Sequence, residues 1–133
     1  MAARITCLVL IAFLLSGCKY TFTEELEIEE QILKITALGI TSEEVRALAD
    51  KHFGAEAFFG HGVAEKTQEG WVLAAWFPNP LKRNGAGPYC FVYKLGSHPS
   101  PYVVIPTHVY AYWFFDNSDH LVQVRAKKEI DGI

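Results

Sequence analysis

The feature that most constrains the fold is a change in the spacing of apolar residues near Phe58. Before it, residues 24–38 and 42–53 carry apolar side chains at helical spacing. After it, short runs rich in β-branched and aromatic residues are separated by turn residues, which is typical of strands joined by hairpins. We therefore predict an α+β fold in which two N-terminal helices pack on one face of an antiparallel sheet of about four to five strands.

The second helix has the clearest ends. The run Thr41-Ser42-Glu43-Glu44 fits a capping box, in which the threonine caps the helix and the second glutamate stands at its third position. Ile40 and Val45 form a hydrophobic staple around this box, and Gly54 supplies a stop. We predict a helix over residues 42–53.

The first helix is predicted over residues 24–38, with Thr23 as its candidate N-cap and Gly39 as its end. Three glutamates near its start suit the positive end of the helix dipole. Its candidate buried positions are Leu26, Ile28, Ile32, Leu33 and Ile35.

Five strands are predicted, over residues 60–66, 71–77, 89–95, 107–115 and 120–127. Residues 81–88 and 97–101 are expected to be loops, and residues 103–105 a short extension before Pro106. In the last strand Val122, Val124 and Ala126 alternate with polar residues, which indicates one buried face.

Aromatic side chains are the feature most suited to binding. In strand 107–115 the odd positions face one side and Tyr110, Tyr112 and Phe114 face the other. Because the helices cover only one face, we expect the second face to expose Tyr110, Tyr112 and Trp76 as candidate binding residues. The alternative is ordinary sheet packing with hydroxyls at the rim. If the face binds a partner, Lys82 and Arg83 are candidates for its rim; the favoured alternative is that they are solvated loop charges.

The sequence lacks a motif for catalysis or metal binding. Cys90 lies in a strand-like run between aromatic residues, where we expect a buried and unreactive thiol; the alternative is a nucleophile paired with His61 or His108. The five histidines lack the close spacing of metal ligands, and no Gly-x-Ser-x-Gly motif occurs. We expect no catalytic residue, no metal and no cofactor. The net charge of -3 argues against a nucleic-acid partner.

The first eighteen residues carry a targeting signal. An apolar run of about nine residues follows Arg4, too short for the ~20 residues that span a bilayer. It ends in Leu15-Ser16-Gly17-Cys18, which resembles the lipobox of bacterial lipoproteins at all four positions. The resemblance implies cleavage before Cys18 and a diacylglycerol on its sulfur. The alternative is an ordinary signal peptide in which the cysteine is accidental. In a Gram-negative host an Asp after the cysteine would resemble an inner-membrane retention signal, so Lys19 favours the outer membrane.

This interpretation divides the chain into a leader over residues 1–17, a tether over residues 18–23 and one α+β domain over residues 24–133. Cys7 is then discarded and Cys18 is lipidated, so Cys90 has no partner for an intramolecular disulfide. The helix bounded by Gly39 and Gly54, together with the hairpin residues Phe115 to Leu121, resembles the small α+β domains of the BamE (SmpA) lipoprotein family and of β-lactamase inhibitor proteins. The strand count and the long loop before Pro88 depart from that pattern.

We therefore expect a lipid-anchored protein of the cell envelope, facing the periplasm from the outer membrane if the host is Gram-negative. Its expected partners are the membrane, through the anchor, and an envelope protein bound by a non-catalytic domain. The alternatives are a structural lipoprotein that binds peptidoglycan or lipid, and a hydrolase that uses Cys90. The oligomeric state stays open.

Overall fold

The chain forms two helices followed by five strands in a computed structural model that describes residues 24–83, 85–99 and 106–130. The predicted leader, the tether, the lipobox cysteine Cys18 and the extension over residues 103–105 lie outside the described residues. The helices are α1 (Glu25–Ile35) and α2 (Ser42–Phe53), with a 3-10 turn over Ala55–Ala57. The strands are β1 (Phe58–Thr67), β2 (Gly70–Trp76), β3 (Tyr89–Pro99), β4 (Pro106–Phe115) and β5 (Leu121–Ile130). The predicted α+β class is confirmed.

The strands form one sheet in the order β2-β1-β3-β4-β5, and every neighbouring pair is antiparallel. The pairs β1–β2, β3–β4 and β4–β5 are consecutive along the chain. The exception is β3, which lies beside β1 instead of β2. Because β2 ends opposite Gly62 and β3 begins opposite Val63, the proline-rich connection between them crosses over the middle of β1. This arrangement makes β2 and β5 the two edges of the sheet.

The local signals at the ends of α2 are confirmed. The Thr41 side chain accepts a hydrogen bond from the Glu44 backbone N–H at 3.3 Å, and the helix ends at Gly54 with φ of 90°. Only a residue without a Cβ adopts that backbone conformation easily. In α1, by contrast, Glu24 occupies the N-cap position that we had assigned to Thr23, and it makes no side-chain cap.

Three further expectations are corrected. Leu26, a predicted core residue, is 73% exposed, because the face of α1 that meets the sheet is the one carrying Ile28 and Ile32. Strand β3 continues to Pro99 instead of ending in a loop at Ser97, because its last residues pair with the start of β4. Val122 and Val124 lie on opposite faces of the sheet. The reason is that Val122 has no partner in the pairing of β4 with β5, where Phe114 pairs with Gln123 and Phe115 with Leu121. This β-bulge turns Leu121 inwards in its place.

The larger apolar core lies on the sheet face that carries the odd residues of β3 and β4. It contains Phe91, Tyr93, Trp113 and Phe115 from the sheet, together with buried residues of both helices: Ile28, Ile32, Val45 and Ala49. Within this core the Trp113 indole donates to Thr36 Oγ1 at 3.0 Å, and Thr36 Oγ1 donates to the Ile32 carbonyl oxygen at 3.0 Å. The Thr36 hydroxyl thus gives the buried indole N–H an acceptor and gives the last turn of α1 an additional donor.

The sheet curls towards its other face, so that its two edges approach each other at one end. Four strand spacings of about 4.8 Å would separate β2 from β5 by roughly 19 Å in a flat sheet. Instead, the Trp71 backbone N–H donates to Gln123 Oε1 at 3.0 Å, and Arg125 Nη2 donates to the Glu69 carbonyl oxygen at 2.7 Å. We call this inner side the concave face.

Small residues and bulges on β1 permit the curl. Gly60, Gly62 and Ala64 follow one another along the concave face of this strand, and its pairing with β2 and β3 is irregular at two places. A Cβ at Gly62 would overlap the Ala75 carbonyl oxygen, so β2 can only reach its position over a glycine. Glycine kinks and bulges are the usual means by which a sheet acquires strong curvature.

Both edges of the sheet are protected against pairing with another strand. On β5 the backbone N–H groups of Ala126 and Lys128 donate to the carboxylates of Glu29 and Glu25 from α1, at 2.9 and 3.2 Å. On β2 the Trp71 N–H donates to the Gln123 side chain. An extra residue, Ala74, also interrupts the pairing of β2 with β1. Such covers and bulges discourage edge-to-edge association.

Candidate functional site

The concave face holds an open groove of about 360 Å³ between the diverging parts of the two sheet edges. Trp71 and Arg125, which make the hydrogen bonds that join the two edges, also line the groove. Its walls are mostly aromatic and come from β1, β2 and β4: Phe59, Trp71, Trp76, Tyr110, Tyr112 and Phe114. A concave site of this size, with aromatic walls and a few polar groups, is the usual form of a binding site.

The structure brings the three predicted binding residues together, since Trp76, Tyr110 and Tyr112 all line this groove. The predicted division of β4 into two faces is confirmed: the even-numbered residues Tyr110, Tyr112 and Phe114 share a cluster separate from the helix-side core. The expectation that the tyrosines would be exposed is wrong. Tyr110 is 8% and Tyr112 is 9% exposed, because the curled edges cover them, and Trp76 at 49% is the more accessible ring.

Phe59 and the charged residues of β5 line the groove although the sequence did not suggest them for the site. Phe59 is 55% exposed and its ring makes edge contacts with Trp76 (5.8 Å between centroids) and Tyr110 (5.1 Å). Strict alternation did not place it, because the pairing of β1 with β3 is irregular between Phe58 and Gly60. A Cβ at Gly60 would lie 2.8 Å from the Trp76 ring, so the glycine makes room for the tryptophan.

One side of the groove is charged. Arg125, Lys127 and Glu129 follow one another at alternate positions of β5 and contribute to the lining. The Lys127 ammonium lies 5.4 Å from the centroid of the Tyr112 ring, a cation–π contact. Burial, with a smaller effect of Glu129, raises the pKa of Tyr112 to about 12, so its hydroxyl is protonated at neutral pH.

Cys90 lies beneath this groove and is fully buried. Burial raises the pKa of its thiol far above the ordinary range, and its Sγ donates weakly to the Phe91 carbonyl oxygen at 3.7 Å. A thiol in this state is a poor nucleophile, because the thiolate is the reactive form.

Neither predicted histidine partner lies beside Cys90. His108 is six positions before Phe114, the β4 residue opposite Cys90, which is roughly 20 Å along a strand. His61 faces the other side of the sheet. There its Nε2 donates to the Asn79 carbonyl oxygen at 2.7 Å, and its Nδ1 accepts from the Tyr89 hydroxyl at 2.6 Å. His61 thus holds the loop after β2.

Arg83, for which the sequence left a rim position and a solvated loop position open, also lies on the helix side. Its Nη1 is 3.1 Å from Asp119 Oδ1, its Nη2 donates to the Gly87 carbonyl oxygen, and its guanidinium lies 4.3 Å from the Tyr89 ring centroid. A shallower cavity of about 210 Å³ beside His61 is bordered by Arg83. Because Arg83 and His61 are satisfied within the chain, this cavity is the weaker candidate.

Within residues 24–83, 85–99 and 106–130, no group of three or more His, Cys, Asp or Glu side chains is arranged to hold a metal ion. No helix in the same residues is long and apolar enough to cross a membrane. Comparisons of the chain with protein-family models, with curated proteins and with solved structures find no match.

Proposed function

We propose that this protein is a lipid-anchored, non-catalytic binding protein of the cell envelope. Its two helices cover one face of the sheet, and its concave face takes up a partner protein. The observation that carries the proposal is the open aromatic groove in which Trp76 and Phe59 are each about half exposed. Exposed aromatic rings beside a charged border are characteristic of protein interfaces.

The anchor is the Cys18 side chain, lipidated after removal of residues 1–17, which holds the domain at the outer membrane and on its periplasmic side in a Gram-negative host. The lipobox supports this part of the proposal. Residues 19–23 would span about 17 Å when extended, so the domain works close to the membrane surface. Two or more acyl chains would make this attachment durable.

The groove favours binding over catalysis. The titratable groups in and beneath it include a buried thiol with a raised pKa, a protonated tyrosine and the charged side chains of Arg125, Lys127 and Glu129. Catalysis by Cys90 would need a thiolate beside a base. His61 faces the other side of the sheet, and His108 lies too far along β4 to supply one. Binding of a partner protein needs only a groove of complementary shape with aromatic and charged side chains in its walls, and this groove has both.

Site-specific photocrosslinking in the native envelope tests the binding surface. A benzophenone amino acid at Phe59, inside the groove, is expected to give a defined adduct with one envelope protein. The matched control is the same amino acid at Leu81, which is 94% exposed but lies outside the groove. Equal adducts at both positions, or none at Phe59, would contradict the proposal.

The anchor is tested separately by fractionation. The Cys18→Ala variant is expected to leave the membrane fraction for the soluble fraction, because it lacks the lipidated thiol. If this variant still sediments with membranes after a carbonate wash, the lipoprotein assignment is wrong.

A second candidate function is binding of peptidoglycan or lipid, since the exposed ring of Trp76 also suits stacking on a sugar or insertion among acyl chains. Cosedimentation with purified peptidoglycan or with vesicles, lost in Trp76→Ala, would favour this alternative.

A further inference from the structure

The charges on the concave face are opposite in sign to the net charge of the chain. The chain carries a net charge of -3. Yet the strand register puts four cations on the same face as the groove tyrosines, with Glu129 as the acidic residue among them. Lys66 pairs with Trp71, Lys94 and Lys127 pair with Tyr110, and Arg125 pairs with Tyr112.

The acidic residues are concentrated in the helices. Helix α1 carries Glu25, Glu27, Glu29 and Glu30 against Lys34, and α2 begins with Glu43 and Glu44. The domain therefore has an acidic helical side and a concave face with an excess of cations. Of these cations Arg125 and Lys127 line the groove, together with Glu129. A potential of this kind attracts ligands of the opposite sign to the groove and disfavours ligands of the same sign.

The groove also presents its apolar and cationic groups side by side. Trp76 and Phe59 form one wall, whereas Arg125 and Lys127 form the opposite one, with the Lys127 ammonium above the Tyr112 ring. A ligand that fills it combines an apolar group with a neighbouring anion. Pairing of an added strand is disfavoured, because Glu25, Glu29 and Gln123 cover edge N–H groups.

We infer that the groove recognises an acidic segment of its partner protein, in which a large apolar side chain packs against Trp76 and Phe59 while flanking carboxylates pair with Lys127 and Arg125. This inference rests on the proposed function and adds the chemistry of the recognised segment. Charge complementarity is what selects this segment over a basic one. Because these ion pairs are partly solvated, each one changes affinity by about two- to fivefold, and added salt weakens binding.

The three tryptophans supply the assay. Trp71 and Trp76 line the groove, whereas Trp113 is fully buried on the opposite face. The full lipidated protein, labelled with fluorotryptophan and reconstituted in phosphatidylcholine nanodiscs, is titrated with a short peptide that has a central phenylalanine flanked by aspartates. The fluorine resonance of Trp76 is expected to shift and that of Trp113 to stay unchanged.

Two comparisons test whether charge determines the binding: one changes the charge of the peptide and the other removes the charge of Lys127. Replacing the aspartates of the peptide by asparagine is expected to weaken binding, and replacing them by lysine to weaken it further. The Lys127→Gln variant is expected to bind the acidic peptide about two- to fivefold more weakly and to lose part of its salt dependence. The matched control is Lys128→Gln, since Lys128 is the next residue on β5 and points to the other face of the sheet.

The outcomes separate this inference from the proposed function. If the asparagine or lysine peptide shifts Trp76 as strongly as the aspartate peptide, the acidic specificity is wrong although the groove still binds protein. If no peptide shifts Trp76, the inference is overturned. If phosphatidylglycerol nanodiscs or a single-stranded oligonucleotide shift it instead, the proposed protein partner is wrong as well.

Discussion

The hydrogen bond between Trp113 and Thr36 joins the end of α1 to the centre of the sheet, and its removal has a calculable effect. Thr36→Val keeps the β-branched shape but deletes the hydroxyl that accepts from the Trp113 indole at 3.0 Å. Both residues are fully buried. The Trp113 ring packs against the rings of Phe91 and Tyr93, with centroids 5.5 and 5.4 Å away, and its full burial keeps water from replacing the lost acceptor.

The expected cost follows from that burial. A buried donor left without an acceptor costs about 1–3 kcal/mol. The Ile32 carbonyl oxygen keeps a partner, because the Thr36 backbone N–H still donates to it at 2.8 Å. We therefore expect Thr36→Val to lower the free energy of unfolding by about 2 kcal/mol. In a Trp113→Phe background the indole N–H is absent, so Thr36→Val should leave the free energy of unfolding nearly unchanged.

Urea unfolding followed by far-ultraviolet circular dichroism measures this double-mutant cycle. A coupling of about 1–2 kcal/mol is expected between the two substitutions. Thr36→Ser is the control, since it keeps the hydroxyl and loses only a methyl group, at about 1 kcal/mol. If the two free-energy changes add within about 0.5 kcal/mol, the end of α1 does not dock on Trp113 as described.

Three further predictions concern the concave face and the buried titratable groups. Gly62→Ala would push against the Ala75 carbonyl oxygen and should destabilise the domain by about 1–3 kcal/mol. Gly96→Ala, where nothing lies within 4 Å, should cost less than about 0.5 kcal/mol when both variants are compared by thermal unfolding; equal losses would argue against the close approach of β2. The Cys90 thiol should resist alkylation at mildly alkaline pH until the domain is unfolded, because burial raises its pKa, and labelling at equal rates in native and denatured protein would disprove this. The pKa of Tyr89 is raised from 10.0 to about 12 by burial, so its contribution to stability is complete below pH 10 and is lost as pH rises towards 12, with a slope of about 1.4 kcal/mol per pH unit. Unfolding titrations of Tyr89→Phe should lack this part of the alkaline slope, and an unchanged slope would contradict it.

Local chemistry made parts of the fold and of the site predictable. The bounds of α2 follow from a threonine cap and a glycine stop within its own fourteen residues, Thr41 to Gly54. The division of β4 into two faces follows from the geometry of any strand, so Tyr110 and Tyr112 could be assigned to one surface without a structure. The resemblance of Leu15-Ser16-Gly17-Cys18 to a lipobox, on which the proposed lipidation of Cys18 rests, is equally local and stays a prediction.

The groove itself depends on contacts between residues distant in the chain. Trp76 belongs to it because β2 curls over Gly60 and Gly62, and Phe59 belongs to it because of an irregularity in the β1 pairing. A bulge is set by two strands together, so the alternation within either strand does not reveal it.

The sequence by itself determined the α+β class, the ends of α2 and the residues that share each face of β4, because each depends on neighbours a few positions apart. The curl, the burial of Tyr110 and Tyr112 and the position of Arg83 were decided only by the tertiary structure. The same holds for the charge of the groove. The composition records a net charge of -3, and only the register of β4 with β5 reveals that Arg125 and Lys127 stand together beside the tyrosines. Net charge sums over the whole chain, whereas a partner meets one face of it.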